Sequence, residues 1–430
     1  MIVKIKKNFN GLFLLILILQ LFIFFNYVSW FLNEYVELKF FRVFLIFSVL
    51  SIIFLILFKV YKENKLLAVI FIFLLIACLG SPSFHWDARS IWLFYSKQIF
   101  FDRTFQYIFD NYSPLHTISY PVLGPTLASS LADTLGFWNE IFPKFFSFIL
   151  SIPILVYLYF FLENKTAKFL YGFIIFFIFD KSLIIGEMDG LVALYFTAST
   201  LISIQLFKTN DPINLELKSK NKFLNINFFY VFAFLNFTFL SILKKEAFVY
   251  LTIIFFSLIV SNFYFQKYRF VNKKILIIFL ISLINFVFWE YYTSRYNVDL
   301  TNYPGVLILF EENFSKIFFT NVLNMKNFFL ISKEMFLNKP FLISIILSSF
   351  LIVFAYKKNK NSNKKELVDF LSIFVIVILY LLFVYFVYYI TSYDLLWHLK
   401  TSATRVMLPL SFFISYITLI FVQKKLNFIN

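Results

Sequence analysis

Apolar runs of membrane-spanning length recur along this chain, and each ends at a short charged or polar break. About 20 apolar residues suffice for a helix to cross the hydrocarbon core of a bilayer. Cutting the runs at their charges predicts spans at 11–32, 41–58, 66–80, 142–162, 167–180, 189–207, 223–243, 247–265, 275–293, 337–355, 368–391 and 404–422. The expected fold class is all-α: a polytopic transmembrane helix bundle of about 12 spans, forming a single integral membrane domain over 1–430. With 61% hydrophobic residues, 68 Phe and a mean hydropathy of +0.82, most of the chain needs lipid as its solvent, so the first expected partner is the bilayer. The opening segment carries Lys4, Lys6 and Lys7 like a signal peptide, yet its apolar stretch is too long and no small-residue cleavage site follows. It is expected to stay as an anchor. Cys78, the single cysteine, has no partner for an intramolecular disulfide.

Lysine and arginine are retained on the cytoplasmic side of short loops, so their distribution sets the orientation. With both termini cytoplasmic, 23 of the 39 basic residues and 6 of the 23 acidic ones lie inside, leaving 16 basic and 17 acidic residues outside. The net charge of +16 is then an orientation signal, and no nucleic-acid partner is needed to explain it. The cytoplasmic loops 208–222 and 357–366, rich in Lys, Asn and Ser, read as solvated linkers. His85, His116 and His398 all fall outside with most of the acids, so any chemistry faces away from the cytoplasm.

The first large outer loop, 81–140, is too apolar to be disordered. It opens with a polar island, Ser81-Pro-Ser-Phe-His-Trp-Asp-Ala-Arg-Ser90, where ionisable groups at a membrane boundary mark a functional site. Ile91, Trp92, Tyr95 and Ile99 share one helical stripe after it, which predicts an interfacial amphipathic helix with its Trp and Tyr at headgroup depth. Ser119-Tyr-Pro-Val-Leu-Gly-Pro125 should resist regular helix, and 126–138, helical in pattern but carrying Asp133, should be re-entrant or packed on the bundle. A second outer loop, 294–336, holds Arg295, Tyr303, Pro304, Glu311 and Glu312 and should lie along the membrane surface.

Four constellations on the outer side carry the chemistry. Asp87 can be the N-cap of the helix that follows, or a carboxylate held as general base or metal ligand, with Arg89 beside it. In Gly186-Glu187-Met-Asp189-Gly190 the acids can simply favour a helix N-terminus or bind a metal or sugar hydroxyls. Lys244-Lys245-Glu246 can be a snorkelling pair or an anion site, one lysine reaching a phosphate while Glu246 fixes its position. Leu395 to Arg405 collects His398, Lys400 and Arg405, either as a surface anchor or to hold a phosphate bidentately.

In order, Trp86-Asp87-Ala, Ser119-Tyr120-Pro, Gly186-Glu-Met-Asp189-Gly, Lys244-Lys-Glu246 and Trp397-His-Leu-Lys-Thr-Ser-Ala-Thr-Arg405-Val-Met-Leu-Pro resemble bacterial type-C (GT-C) glycosyltransferases, similar to the dolichyl-phosphate-mannose-protein mannosyltransferases, over residues 66–422. The resemblance implies transfer of a sugar from a polyprenyl-phosphate carrier to a glycan, glycolipid or protein acceptor on the outer face of a bacterial inner or plasma membrane. It implies that Asp87 matches the acid of the first outer loop and Asp189 that of a later one. Around them the remaining residues expected to bind substrate or phosphate are Arg89, His116, Tyr120, Glu187, Lys245, Glu246, His398 and Arg405. The first loop lacks an Asp-x-Asp pair, which leaves open a divalent cation, held by Asp87 and Asp189 if bound. Direct displacement with one carboxylate as base would invert the anomeric centre. A polysaccharide polymerase or ligase, or a transporter of lipid-linked saccharides, is the competing expectation.

Overall fold

The computed structural model describes residues 9–33, 35–82, 85–105, 120–208, 222–265, 273–295, 314–356, 364–391 and 393–427. The linker readings of 209–221 and 357–363, the stretch with Asp110 and His116, and Tyr303, Pro304, Glu311 and Glu312 of the second outer loop lie outside these residues.

Every described element is a helix. In order they are α1 (Phe9–Leu32), α2 (Lys39–Glu63), α3 (Lys65–Gly80), a π-helical turn at Ala88–Trp92, α4 (Leu93–Asp102), α5 (Leu123–Leu135), a 3₁₀ turn at Pro143–Phe145, α6 (Phe146–Phe161), α7 (Lys165–Phe179), α8 (Asp189–Lys208), α9 (Lys222–Leu243), α10 (Lys245–Phe265), α11 (Lys273–Ser294), α12 (Phe314–Leu323), α13 (Met325–Phe336), α14 (Lys339–Tyr356), α15 (Lys364–Tyr389) and α16 (Leu395–Asn427). A helix therefore occupies each segment expected to cross. Seven helices among the described residues are long and apolar enough to span a membrane, or eight if α13 and α14, bent by 68°, form one broken span. The chain is an α-helical integral membrane protein.

Two helices are inside the bundle and others form its rim. The spanning windows of Pro143–Phe161 and Asp189–Leu206 are 94% buried, against 28% for Ile275–Ser294 and Leu371–Tyr389, whose outward Phe, Ile and Leu are left for lipid. On the buried side α16 packs against α7, α8 and α14, so the last helix lies beside the helix that begins at Asp189.

The loop after α3 is built into the protein. Trp92, Tyr95 and Ile99 are fully buried and α4 packs along α5, so the apolar stripe expected at headgroup depth faces protein instead. A stripe of that width seals equally well against a helix or a membrane, and α5 is the nearer partner. The next helix is packed, as one of the two expectations had it: residues 123–133 of α5 are buried throughout. It begins at Leu123, earlier than the prolines suggested, because Pro125 falls in the first turn, where a missing N–H costs nothing. Asp133 in α5 accepts an ion pair from Arg103, at the end of α4, and faces Arg42 of α2 at 3.9 Å. Arg42 lies over the Trp30 ring, 3.9 Å from its centroid, and donates to Asn33 Oδ1 at 2.7 Å; Trp30 Nε1 donates to Ser130 Oγ at 2.8 Å. This buried network ties α1, α2, α4 and α5 together at one end of the bundle.

Candidate functional site

Asp87 has helical backbone angles (φ −62°, ψ −40°) and makes no capping hydrogen bond, so the N-cap reading does not hold. Its Oδ2 instead pairs with Arg405 Nη1, 318 positions further along the chain. The π-helical turn after it widens the helix, a distortion found frequently at functional sites. Arg405 is set by α16. Asp394 Oδ1 accepts from the Trp397 amide at 2.8 Å and caps that helix. His398, Ser402 and Arg405 then follow at spacings of four and three, along one face. Ser402 meets Tyr388 Oη at 2.9 Å and His398 Nδ1 meets Thr391 Oγ1 at 2.8 Å. Pro409 removes the helical donor to the Arg405 carbonyl, and Tyr380 Oη donates to the next one, Val406, at 2.5 Å.

The turn 180–188 is fixed against the polar island. Ser81 Oγ donates to the Ile184 carbonyl at 3.1 Å, and the buried Lys144 donates through Nζ to the Ser81 carbonyl and, at 3.3 Å, to its Oγ. Gly186 has φ +88°, a left-handed conformation that suits glycine, and the place of its absent Cβ lies 3.9 Å from the Ala88 methyl. Glu187 is thereby presented to His85, whose Nδ1 contacts its Oε1. Asp189, two residues on, begins α8 and accepts from Lys244 Nζ at 2.8 Å.

Lys244 stands in the break between α9 and α10, with its ammonium 5.8 Å from the centroid of the Tyr120 ring. Tyr120 donates from its hydroxyl to Glu246 Oε1 at 3.3 Å and packs on Trp92 with ring centroids 5.2 Å apart. Glu246 is within electrostatic reach of His398 and Tyr250. Lys245 turns away and pairs with Glu290 of α11 at 3.1 Å.

Of the residues expected at the site, Asp87 and Arg405 pair directly, Asp189 pairs with Lys244, Tyr120 bonds to Glu246, Glu187 meets His85, and His398 is within electrostatic reach of Glu246. Lys245 lies one pair outward; the inner cation is its neighbour Lys244, which precedes the first turn of α10 and so points into the bundle. Arg89 is exposed, as are Lys400 and Trp397, and none of them joins the ion pairs. His116 lies outside the described residues. His85, Lys144, Lys244 and Glu290 were not among the expected site residues. His85 stood in the polar island and Lys244 in the Lys-Lys-Glu run, so a signal for both was present; Lys144 and Glu290 carried none.

Two features suit this cluster to chemistry. Its charges are paired at the bundle end rather than at mid-span. Asp189 Oδ2, Glu246 Oε2, Trp92 Nε1 and Arg405 Nε are buried without a hydrogen-bond partner, which in a native protein marks a place for water, ion or ligand. Among the described residues no group of three or more His, Cys, Asp or Glu is placed to hold a metal ion, and the carboxylates of Asp87 and Asp189 each face a cation instead.

The cluster is packed tightly from below. A Cβ on Gly124 would stand 1.8 Å from Met188 Cε and 2.9 Å from Phe146 Cε2, and Met188 lies between Glu187 and Asp189. Gly124→Val is therefore expected to cost about 1–3 kcal/mol of stability. A denaturation midpoint unchanged from wild type in detergent would contradict this packing. No known protein family, curated protein or solved structure matches the chain.

Proposed function

We propose that this chain is a membrane glycosyltransferase of the type-C kind, its apolar helices making about 12 crossings, which moves a sugar from a polyprenyl-phosphate carrier to an acceptor hydroxyl on the outer face of the membrane. The observation that carries the reading is the Asp87–Arg405 pair, which sets a loop carboxylate against a guanidinium of the last helix, and a second buried pair, Asp189–Lys244, joins two further polar motifs. Such a transfer needs a base for the acceptor and cations for the leaving phosphate, and the two pairs supply both.

Arg405 can hold only one anion fully. When the donor phosphate engages the guanidinium, Asp87 loses its counter-charge in a buried place, and a buried carboxylate without a partner takes up a proton readily. The acceptor hydroxyl provides it. Its oxygen bonds to the anomeric carbon, the bond from that carbon to the phosphate oxygen breaks, the electron pair leaves with the phosphate, and the proton goes to Asp87. In this reading Lys244 shares the phosphate charge, with Asp189 keeping it in place. Attack opposite the leaving group inverts the anomeric centre.

The test uses the full chain in lipid nanodiscs with synthetic polyprenyl-phosphate hexose labelled in the sugar. Binding of this donor and release of free polyprenyl phosphate, with a sugar product of inverted configuration, are expected. Absence of any binding to the lipid-phosphate sugar would sink the proposal; movement of intact lipid-linked sugar between leaflets without release of phosphate would favour a transporter.

A further inference from the structure

One chain of contacts runs Trp92, Tyr120, Glu246, and from Tyr120 through Lys244 to Asp189. Trp92 is fully buried and Asp189 is 6% exposed, yet Trp92 Nε1, Glu246 Oε2 and Asp189 Oδ2 have no partner. Leaving three such atoms dry and unpaired would cost free energy at each, so each calls for a partner from water or a ligand. Two are carboxylate oxygens, which only accept, and one is an indole N–H, which only donates. The Trp92 and Tyr120 rings, packed on each other with centroids 5.2 Å apart, are apolar bodies with a polar tip.

We infer that Trp92, Tyr120, Glu246 and Asp189 form the subsite for the sugar ring, and that it selects a ring with hydroxyl or ammonium donors and no carboxylate. The inference rests on the transferase reading and adds the substrate class to it. Hydroxyls of the ring donate to Glu246 Oε2 and Asp189 Oδ2, and a ring or hydroxyl oxygen accepts from Trp92 Nε1. A uronate would set a third carboxylate against the two already there. Like charges across a desolvated contact are strongly disfavoured, and a site built for a hydroxyl donor rejects a ligand that lacks it.

The experiment measures binding of polyprenyl-phosphate donors carrying glucose, glucosamine or glucuronate to the full chain in nanodiscs, with methyl glucoside as a lipid-free probe. Wild type should hold the glucose and glucosamine donors at least about tenfold more tightly than the glucuronate donor. Glu246→Gln should shrink that ratio to about twofold, and Trp92→Phe, which keeps a ring but loses the N–H, should weaken the glucose and glucosamine donors by about three- to tenfold. Equal affinity of wild type for glucose and glucuronate donors overturns the subsite whatever the variants do, as does a ratio unchanged in Glu246→Gln. Methyl glucoside binding that depends on Glu246, with no affinity for any lipid phosphate, would overturn the transferase and leave the subsite standing. Tight binding of all three lipid donors without discrimination would do the reverse.

Discussion

Asp133→Ala is expected to destabilise the protein by about 3–5 kcal/mol, the largest loss anticipated for any single truncation outside the site. The Asp133 side chain has no solvent exposure and that of Arg42 only 1%, so removing the carboxylate strands a guanidinium that cannot reach water. Arg42 keeps its bond to Asn33 Oδ1 and its place over Trp30, but neither neutralises its charge. Arg103 is less affected, because its side chain is 38% exposed and can turn outward. Its backbone would gain no relief, since it sits at φ +61° with its carbonyl accepting from Asn33 Nδ2 at 2.8 Å. Replacing Arg42 and Asp133 together by Met and Leu removes the buried charges as a pair and should recover most of the loss. Unfolding in graded SDS would read both variants; an Asp133→Ala protein within about 1 kcal/mol of wild type would show the network to be an ornament.

That network shows what could and could not be read from the chain alone. Asp133 was visible as a residue unfit for a lipid-facing helix, which left α5 either re-entrant or packed on the bundle, and its burial shows the packed arrangement. Nothing near it in sequence announced Arg42 or Arg103, because hydrophobic periodicity reports which face of a helix is buried and not what it meets. The same limit explains the polar island. Local chemistry left Asp87 either an N-cap or a carboxylate held for chemistry, and could not name the contact that fixes its side chain, which comes from Arg405 on the last helix. The stripe of Ile91, Trp92, Tyr95 and Ile99 was correctly apolar, but a stripe cannot distinguish a bilayer surface from α5. At Lys244-Lys245 the two cations differ only in where α10 begins, and one residue decides which of them points inward. The apolar runs themselves were the most legible feature, since backbone hydrogen bonding in lipid leaves a long apolar segment little choice but helix. The convergence of four polar motifs at one end of the bundle followed from their placement at helix ends, and needed only the alternation of helix direction.

Asp87→Asn and Arg405→Gln separate the structural share of the central pair from the catalytic share proposed for it. Each single change leaves one charge without its partner in a largely buried place: the side chains are 10% and 25% exposed. Each is expected to cost about 2–4 kcal/mol of stability. The double variant pairs an amide with an amide, which restores neutrality and leaves hydrogen bonding possible, so its stability should return to within about 1 kcal/mol of wild type. Activity should not return. Asparagine cannot accept the acceptor proton, a loss of about 10²–10⁴ in turnover, and glutamine cannot balance a leaving phosphate, a loss of about 10²–10³. The double variant should therefore be as stable as wild type and at least as inactive as the worse single. The measurements are unfolding in graded SDS and release of polyprenyl phosphate by the same nanodisc preparations. If activity recovers together with stability in the double variant, Asp87 and Arg405 are a clasp between the first loop and the last helix, and the base and phosphate site must be sought elsewhere. If stability recovers and activity does not, the pair is a resting state of the catalytic groups, held neutral until the donor phosphate takes the guanidinium and leaves the carboxylate to receive a proton.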